Sequence, residues 1–342
     1  MKNNKMLNSS LEFWNTAKEY VHHYLPNIRK SSPNTVAAYR DSLNHYISYL
    51  ELQLKLLRKN ISFADFNRER LKNYMDWMLN ERQLAPKTCN LRLTAIHSML
   101  EYASNEHMEL MSAYINVCSV KGVKTPNGPI EFFESSQMKA LLAAPDTGKK
   151  TERRNQMMLI LMYDLAVRVS ELLDLQVGSI HLRSEIPYVT VYGKGRKYRN
   201  IPLMAKTQQH LARYLHEFHN PQDKNSFLFY AKSHGEMHRL SSDTMEAMLK
   251  RYNSGCASVG IEMPPKPNCH MIRKTRAMDL YQSGVPLTHI QQLLGHEQLS
   301  TTSGFYAFAT LETLAKSMIK ANDDMAVKKW ADAETLAKLY SL

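Results

Sequence analysis

The sequence lacks any long hydrophobic run. Nowhere among its 342 residues do apolar side chains approach the roughly 18 in succession that a membrane-spanning helix needs. The first residues, MKNNKMLNSS, lack the apolar stretch of a secretory signal. Both absences argue against an exported or membrane-embedded protein, so we expect a cytoplasmic location.

Cysteine is scarce, and its spacing has no pattern. The four cysteines, Cys89, Cys118, Cys256 and Cys269, form no CxxC motif and no cysteine–histidine group with metal-ligand spacing. This scatter favours reduced, mostly buried thiols and argues against a zinc site. We therefore expect neither a metal nor another cofactor.

Acidic residues are too few to balance the basic ones. The chain has 32 Asp+Glu against 44 Lys+Arg, a formal net charge of +12. The excess is divided equally between residues 1–130 and 131–342, as expected if two domains grip one polyanion. Nucleic acid is a better candidate than anionic membrane, because no basic amphipathic anchor is present. A basic surface without a specific partner remains an alternative at this point.

Glycine and proline are also few, and no low-complexity segment is present. A chain of this length is expected to form two domains. Residues 1–118 have only helical patterns, with Ser32 and Pro33 at the start of one helix and Pro86 opening another. Residues 119–130, SVKGVKTPNGPI, lack periodicity and predict a basic linker. The apolar faces predicted from helical spacing are Val36, Tyr39, Leu43, Tyr46, Ile47 and Leu50 in the first helix, and Leu91, Ala95, Met99 and Tyr102 in the second.

Residues 131–320 predict a second, mainly helical domain with one β-rich interruption. The phrase IPYVTVYGKGRKYRNIPL alternates β-branched and aromatic residues around a Gly-Lys-Gly turn, which predicts a small hairpin. Lys194 lies at the tip, where the flanking glycines leave room for a ligand. The GKG is not a P-loop, because the GxxxxGK[ST] frame is missing. Residues 321–342 predict a separate amphipathic helix.

Arg168 and Glu171 fall within a largely apolar phrase, MYDLAVRVSELLDL, which predicts one buried helix. Arg168 and Glu171 are spaced i, i+3 and so share a side of that helix. A buried arginine needs an anionic partner, because an unpaired buried charge is expensive. Either the two residues form a plain intrahelical pair, or the arginine serves a bound anion.

Two further phrases place histidine where a phosphate could bind. CHMIRKTRAMDLYQSG spaces His270 and Arg273 i, i+3, and a guanidinium fork beside an imidazole donor suits phosphate oxygens. A solvated basic face would show the same pattern. His296 follows Gly295 at the predicted end of another helix, where a histidine can also be only a favourable helix cap.

The order of these motifs is more specific than any one of them. Along the chain stand RVSELLDL, GKGRKYRNIPL, HMIRKTRA, LLGHEQLSTT and YAFAT, and over about residues 11–320 the sequence resembles the tyrosine recombinase/integrase family, which includes phage integrases, Cre and the Xer recombinases. The resemblance implies a mainly α fold. An N-terminal helical core-binding (SAM-like) domain would precede a C-terminal α-helical catalytic domain that contains a small β-hairpin.

The resemblance also implies a catalytic set. It comprises two arginines, a hairpin lysine, two histidine positions, a tyrosine nucleophile and an acidic residue that supports the first arginine. Carried onto this sequence, these positions are Arg168, Arg273, Lys194, His270, His296, Tyr306 and Glu171.

The sequence departs from the family pattern at two points. The family often has glycine two residues before the first arginine, as in TGLR, whereas this chain has LAVR. The family's tyrosine usually lies one residue nearer to the second histidine, at the position of Phe305 here, as though Gly304 were inserted. Tyr306 is nevertheless the expected nucleophile, because Phe305 has no hydroxyl group.

The activity implied is site-specific DNA recombination, in the integration or excision of a mobile element. It would proceed through a 3′-phosphotyrosine without metal or ATP, with a dimer on each DNA site, a tetramer in synapsis and accessory DNA-bending factors as further partners. The tail helix at residues 321–342 would dock on a neighbouring protomer or on its own domain. Alternatives are a Xer-like dimer resolvase or DNA invertase, a type IB topoisomerase, and an inert DNA-binding regulator on the same fold.

Overall fold

The computed structural model describes residues 6–125, 131–193, 197–220 and 222–295. The chain divides into two compact units, Met1–Gly128 and Pro129–Leu342. Among the described residues, no helix has both the length and the apolar character to cross a membrane.

In the described part of the N-terminal unit, the regular elements are all helices, as predicted. Ser32 caps its second helix by accepting a hydrogen bond from the Thr35 N–H at 3.2 Å, and Pro33 and Pro86 each stand in the first turn of a helix. Helices α1 and α3 each continue as a π-helical segment, Tyr20–Ile28 and Trp77–Glu81. The helices are α1 (Ser10–Glu19), α2 (Pro33–Gln53), α3 (Arg68–Asp76), α4 (Pro86–Glu106) and α5 (Met111–Cys118), with 3₁₀ turns at Arg58–Asn60, Phe63–Asp65 and Met108–Leu110.

Aromatic rings dominate the core of this unit. Tyr46 on α2 packs edge-to-face on Tyr74 of α3, with ring centroids 4.9 Å apart. The predicted face of α2 is confirmed from Leu43 to Leu50. The prediction for Leu91 is wrong: it is 47% exposed, because the buried stripe of α4 is centred on the opposite side of the helix. That stripe includes Cys89, Leu93, Ile96, Met99, Leu100 and Ala103.

The segment that follows α5 begins by packing on the N-terminal unit. The Asn90 side chain donates to the Val123 carbonyl and accepts from the Val123 N–H, both at 2.8 Å. A Cβ at Gly122 would stand 2.6 Å from the Asn90 Oδ1 atom, so glycine permits this close approach. Residues 126–130 of the predicted linker lie outside the described residues.

The C-terminal unit is mainly helical with small antiparallel sheets. Helix α7 runs through its core and packs against α9 and α11. The elements are α6 (Ser135–Ala143), α7 (Lys150–Asp164), α8 (Val169–Leu173), a 3₁₀ turn (Val177–Ser179), β1 (Ile180–His181), β2 (Tyr188–Tyr192), β3 (Tyr198–Pro202), α9 (Ala205–Phe218), β4 (Tyr230–Ser233), β5 (Glu236–Arg239), α10 (Ser242–Ser258), α11 (Cys269–Gln282) and α12 (Leu287–Leu294).

The predicted hairpin is confirmed as β2 and β3, which pair antiparallel with Val191 opposite Arg199. Strand β1 adds a third strand beside β2. The prediction of a single β-rich interruption is wrong, because β4 and β5 form a second hairpin from polar residues. Its turn sets both His234 and Gly235 at positive φ, 50° and 83°, the geometry of a type I′ turn.

Candidate active site

The helix is interrupted between Asp164 and Val169, where the sequence predicts one continuous helix. That prediction is wrong: α7 ends, Ala166 takes the left-handed conformation with φ of 48°, and α8 starts afresh. Alanine is disfavoured there by about 1 kcal/mol. Glycine would adopt this conformation without steric cost, which fits the glycine that the resemblance implies at this position.

The break makes Arg168 the N-cap residue of α8 rather than a helix-interior residue. Its backbone N–H donates to Glu171 Oε2 at 2.9 Å, and its Nη1 donates to Glu171 Oε1 at 2.6 Å. The Glu171 side chain is 4% exposed, whereas that of Arg168 keeps 29% of its surface exposed. The predicted pairing is therefore present, and the arginine still faces solvent on one side.

Arg273 lies on α11 and is almost fully buried. Its Nη1 donates to the Ala166 carbonyl at 2.8 Å and its Nη2 to the Leu294 carbonyl at 2.6 Å. The same Nη1 stands 3.8 Å from Glu171 Oε2. The guanidinium thus holds two parts of the site. One is the turn that presents Arg168, and the other is Leu294, the last residue of α12.

Arg199 on β3 is a member of this cluster that sequence reasoning missed. Its Nη2 donates to Glu171 Oε2 at 2.7 Å and its Nη1 to Glu171 Oε1 at 3.3 Å. Along β3 it shares a face with the buried Ile201. An arginine on the inward face of a strand requires a buried anion, and that alternation was the signal available in the sequence.

His270 stands one turn before Arg273 on α11, at the exposed rim of the cluster. Partial desolvation of the ring lowers its pKa below the ordinary 6.5, and the positive charges of Arg273, Lys274 and Arg168 lower it further. The imidazole is therefore neutral near pH 7 and can accept a proton.

Glu171 is surrounded by more positive charge than it neutralises. Burial alone would raise the pKa of its carboxyl group, but the hydrogen bonds from Arg199 and from the Arg168 N–H hold that pKa below its ordinary value. One carboxylate thus faces Arg168, Arg199 and Arg273. The cluster keeps a positive excess, which suits a bound anion such as a phosphodiester.

Helix α12 ends as predicted at Gly295, which has φ of 64°. Its Leu293 and Leu294 carbonyls, which the helix cannot satisfy, accept hydrogen bonds from Arg199 and Arg273. The site residues Lys194, His296 and Tyr306 lie outside the described residues, as does the tail helix predicted at residues 321–342.

No group of three or more histidine, cysteine, aspartate or glutamate side chains is placed to hold a metal ion within the described ranges. All four cysteines are free thiols, and three of them are buried. The ionisable side chains that the structure does assemble here are Arg168, Glu171, Arg199, His270 and Arg273.

Removing the Glu171 charge should destabilise the C-terminal unit. Glu171→Gln keeps the shape but leaves the guanidinium groups without their buried counter-ion, at an expected cost of about 3 kcal/mol in the free energy of unfolding. Denaturant unfolding at neutral pH measures it. Because the folded-state pKa of Glu171 is lowered, its contribution is present above the unfolded pKa of about 4.5 and is lost as the pH falls through the folded pKa.

The matched control is Glu217→Gln. Glu217 pairs with Arg153 at 2.6 Å in the same unit, but both side chains are about one-third exposed. A surface pair of this kind contributes about 0–1 kcal/mol. Equal losses for the two variants would contradict the buried role given to Glu171.

Comparison with known families matches the chain in two places. Residues 131–312 match the phage integrase family, and residues 12–116 match the phage integrase SAM-like domain. Because the first match alone covers more than half of the chain, the protein belongs to the phage integrase family. The resemblance read from the sequence motifs is thereby confirmed, and with it the class of enzyme, a tyrosine-type site-specific DNA recombinase.

Relatives of this chain include the tyrosine recombinase XerC of Chlamydia caviae. It is 29% identical over 296 residues, which cover 82% of this chain and 90% of the relative. An integrase/recombinase of Sinorhizobium fredii is 29% identical over 295 residues, covering 86% of this chain and 87% of that protein.

Solved structures share the fold at lower identity. The XerH site-specific recombinase bound to a palindromic difH substrate has a TM-score of 0.66 and 20% identity, and the match covers 91% of this chain and 84% of that one. A lambda integrase tetramer bound to a Holliday junction has a TM-score of 0.63 and 15% identity, with 85% and 76% covered. The predicted mainly α fold, with a SAM-like N-terminal and a catalytic C-terminal domain, is confirmed.

Proposed function

We propose that this enzyme cuts and rejoins double-stranded DNA at the cluster around Glu171, with Tyr306 as the nucleophile. One observation carries the proposal: Arg168 and Arg273 are held by a single buried carboxylate, with the neutral His270 at the rim. An anion that enters beside Arg168 meets fixed positive charge that needs no rearrangement. Such preorganised charge is the largest single contribution in many enzymes.

The scissile phosphate would bind against Arg168, whose side chain is partly exposed. Its transition state gathers negative charge on the non-bridging oxygens, so the arginines and the two histidines, His270 and His296, stabilise it more than the ground state. The guanidinium fork of Arg168 can donate to two of those oxygens at once.

Each proton in the cleavage step has a proposed carrier. The Tyr306 oxygen attacks phosphorus, forming the tyrosyl–phosphate bond as the bond to the 5′ oxygen breaks. His270, neutral near pH 7, accepts the phenol proton, and Lys194 donates a proton to the departing 5′ oxygen. The nearby positive charge lowers the cost of ionising a phenol whose ordinary pKa is about 10.

The product is a 3′-phosphotyrosine, and it conserves the energy of the broken phosphodiester. The 5′ hydroxyl of a second duplex can attack it and restore a phosphodiester, with the same groups acting in reverse. Strand exchange therefore needs neither ATP nor a metal ion. Integration or excision of a mobile element is the biological role we propose, in the cytoplasm, by a dimer on each site and a tetramer in synapsis.

Similarity to named proteins supports this choice of substrate and assembly. The structural relatives include the Tn1549 transposon integrase in complex with circular intermediate DNA and the lambda integrase tetramer on a Holliday junction. The sequence relatives named XerC and XerD support a chromosome-dimer resolvase as the second candidate. A recombination site beside the gene would favour the mobile-element role, and a site elsewhere in the chromosome would favour the resolvase.

His270 provides a pH test of the proposed base. Its lowered pKa means that the imidazole is mostly neutral at pH 6.5 and gains its proton at more acidic pH than an ordinary histidine. In the free protein, an NMR titration should place the midpoint of His270 below 6.5, with its resonance assigned by loss in His270→Asn. A midpoint above 6.5 would contradict a base that is ready at neutral pH.

The proposal is tested on nicked DNA fragments from the region that flanks the gene. A nick just beyond the cleavage point lets the short fragment that carries the released 5′ hydroxyl diffuse away, which traps the covalent intermediate. We expect an adduct that survives SDS and forms equally well in EDTA without ATP. Binding that weakens linearly on a log–log plot against salt, with no adduct on any bound fragment, would instead indicate an inert DNA-binding regulator.

A further inference from the structure

Arg199 lies between two turns that lead to proposed catalytic residues. A Cβ at Gly193 would stand 2.8 Å from its Nη1, and a Cβ at Gly295 would stand 3.1 Å from the same atom. Gly193 immediately precedes Lys194, and Gly295 immediately precedes His296. Glycine at both positions leaves room for the guanidinium between the start of the hairpin turn and the end of α12.

The hydrogen bonds of Arg199 connect three elements. From β3, its Nε donates to the Leu293 carbonyl near the end of α12 at 2.9 Å. Its two Nη atoms donate to the Glu171 carboxylate on α8. A planar guanidinium makes these bonds in fixed directions, so the distance between α8 and α12 follows from its shape. The side chain is only 13% exposed.

We propose that Arg199 is a positioning residue for the cleavage reaction. It fixes Glu171, and through it Arg168, and it holds the end of α12 against α8. This role rests on the proposed function, because it concerns the same site. Its three guanidinium nitrogens all donate to the Leu293 carbonyl or to Glu171, so it acts through the residues that it holds.

The test separates DNA binding from the chemical step. With protein in excess over nicked DNA, Arg199→Ala should form the covalent adduct about 100-fold more slowly, as expected when catalytic groups shift by about 1 Å. Its dissociation constant for intact DNA should stay within about threefold of wild type. Arg199→Lys, which keeps the charge and can make one of the contacts, should recover part of the rate.

Coupling to Glu171 distinguishes positioning from a general loss of structure. If Arg199 acts through Glu171, the rate loss of the Arg199→Ala/Glu171→Gln double variant is smaller than the product of the two single losses. Arg153→Ala is the matched control, because it breaks an arginine–glutamate pair with 2.6–3.1 Å hydrogen bonds on the surface of the same unit. Its cleavage rate should stay within about twofold of wild type.

The proposal would be overturned by wild-type cleavage by Arg199→Ala, by rate and affinity losses of equal size, or by independent losses in the double variant. Circular dichroism checks the fold, and if Arg199→Ala does not fold, the decision passes to Arg199→Lys. A folded lysine variant that cleaves at the wild-type rate would also overturn it. Absence of an adduct with wild-type protein would refute the proposed function instead, so the two failures are distinguishable.

Discussion

Tyr306→Phe should abolish the covalent protein–DNA adduct, whereas Phe305→Leu should retain it. The proposed step needs a phenol oxygen that attacks phosphorus and later leaves again, and phenylalanine at position 306 has no hydroxyl group. Phe305 can contribute packing alone, and leucine preserves most of its apolar volume. The measurement is SDS-resistant adduct formed on a nicked substrate, compared among wild type and the two variants.

The one-residue displacement from the family spacing makes this pair of variants decisive. If the usual count governed, position 305 would be the functional one, and this chain would have an inert phenylalanine there. Phe305→Tyr adds a useful third arm. In the double variant Phe305→Tyr/Tyr306→Phe, restored adduct formation would show that the site accepts a nucleophile at the usual spacing. Under our account, Tyr306 is the nucleophile in the wild type.

Arg273→Lys should slow adduct formation by a factor on the order of 10²–10³, the loss seen when one preorganised donor is removed from an active site. Lysine keeps the charge but lacks the planar fork. It cannot reach the Ala166 and Leu294 carbonyls together, which Arg273 holds at 2.8 and 2.6 Å. The turn that presents Arg168 and the end of α12 would then lose their common anchor.

DNA affinity should change little in this variant, because Arg273 is buried and binding is spread over many phosphates. Arg276→Lys is the matched control: it lies one turn further along α11, with its guanidinium 5.2 Å from the centre of the Tyr163 ring. Lysine preserves that cation–π contact, so the cleavage rate should remain within about threefold of wild type. If Arg273→Lys also cleaved within about threefold of the wild-type rate, the result would contradict the account of the cluster.

Much of the described site could be predicted because its parts are local in sequence. Arg168 and Glu171 are three residues apart, as the N-cap and N3 positions of α8, and His270 and Arg273 have the same spacing on one side of α11. The hairpin was readable from its β-branched and aromatic alternation. The glycine that ends α12 was readable as a stop signal.

Features that depend on distant partners could not be predicted. Ala166 takes a strained conformation because its carbonyl then meets Arg273, which is 107 residues away along the chain. Arg199 is 28 residues from Glu171, and only the tertiary structure brings them together. Local propensity favours a continuous helix through Ala166, and tertiary hydrogen bonds reverse that preference.

The second hairpin was missed for a different reason. Strands β4 and β5 have polar residues such as Lys232 and Glu236 and lack the alternation of β-branched and aromatic residues that predicts a strand. Their pairing depends on the turn at His234 and Gly235, both at positive φ. Histidine is a less usual first residue for such a turn than asparagine or aspartate, so the signal was weak.

The most direct test of the central claim is to find the residue that becomes linked to DNA. Wild-type protein trapped on a nicked substrate is digested with a protease and a nuclease, and the peptide that retains a nucleotide is sequenced by mass spectrometry. We predict that the 3′-phosphate is attached to the phenol oxygen of Tyr306. Attachment to any other residue, or no linked peptide from protein bound to its cognate site, would contradict the account.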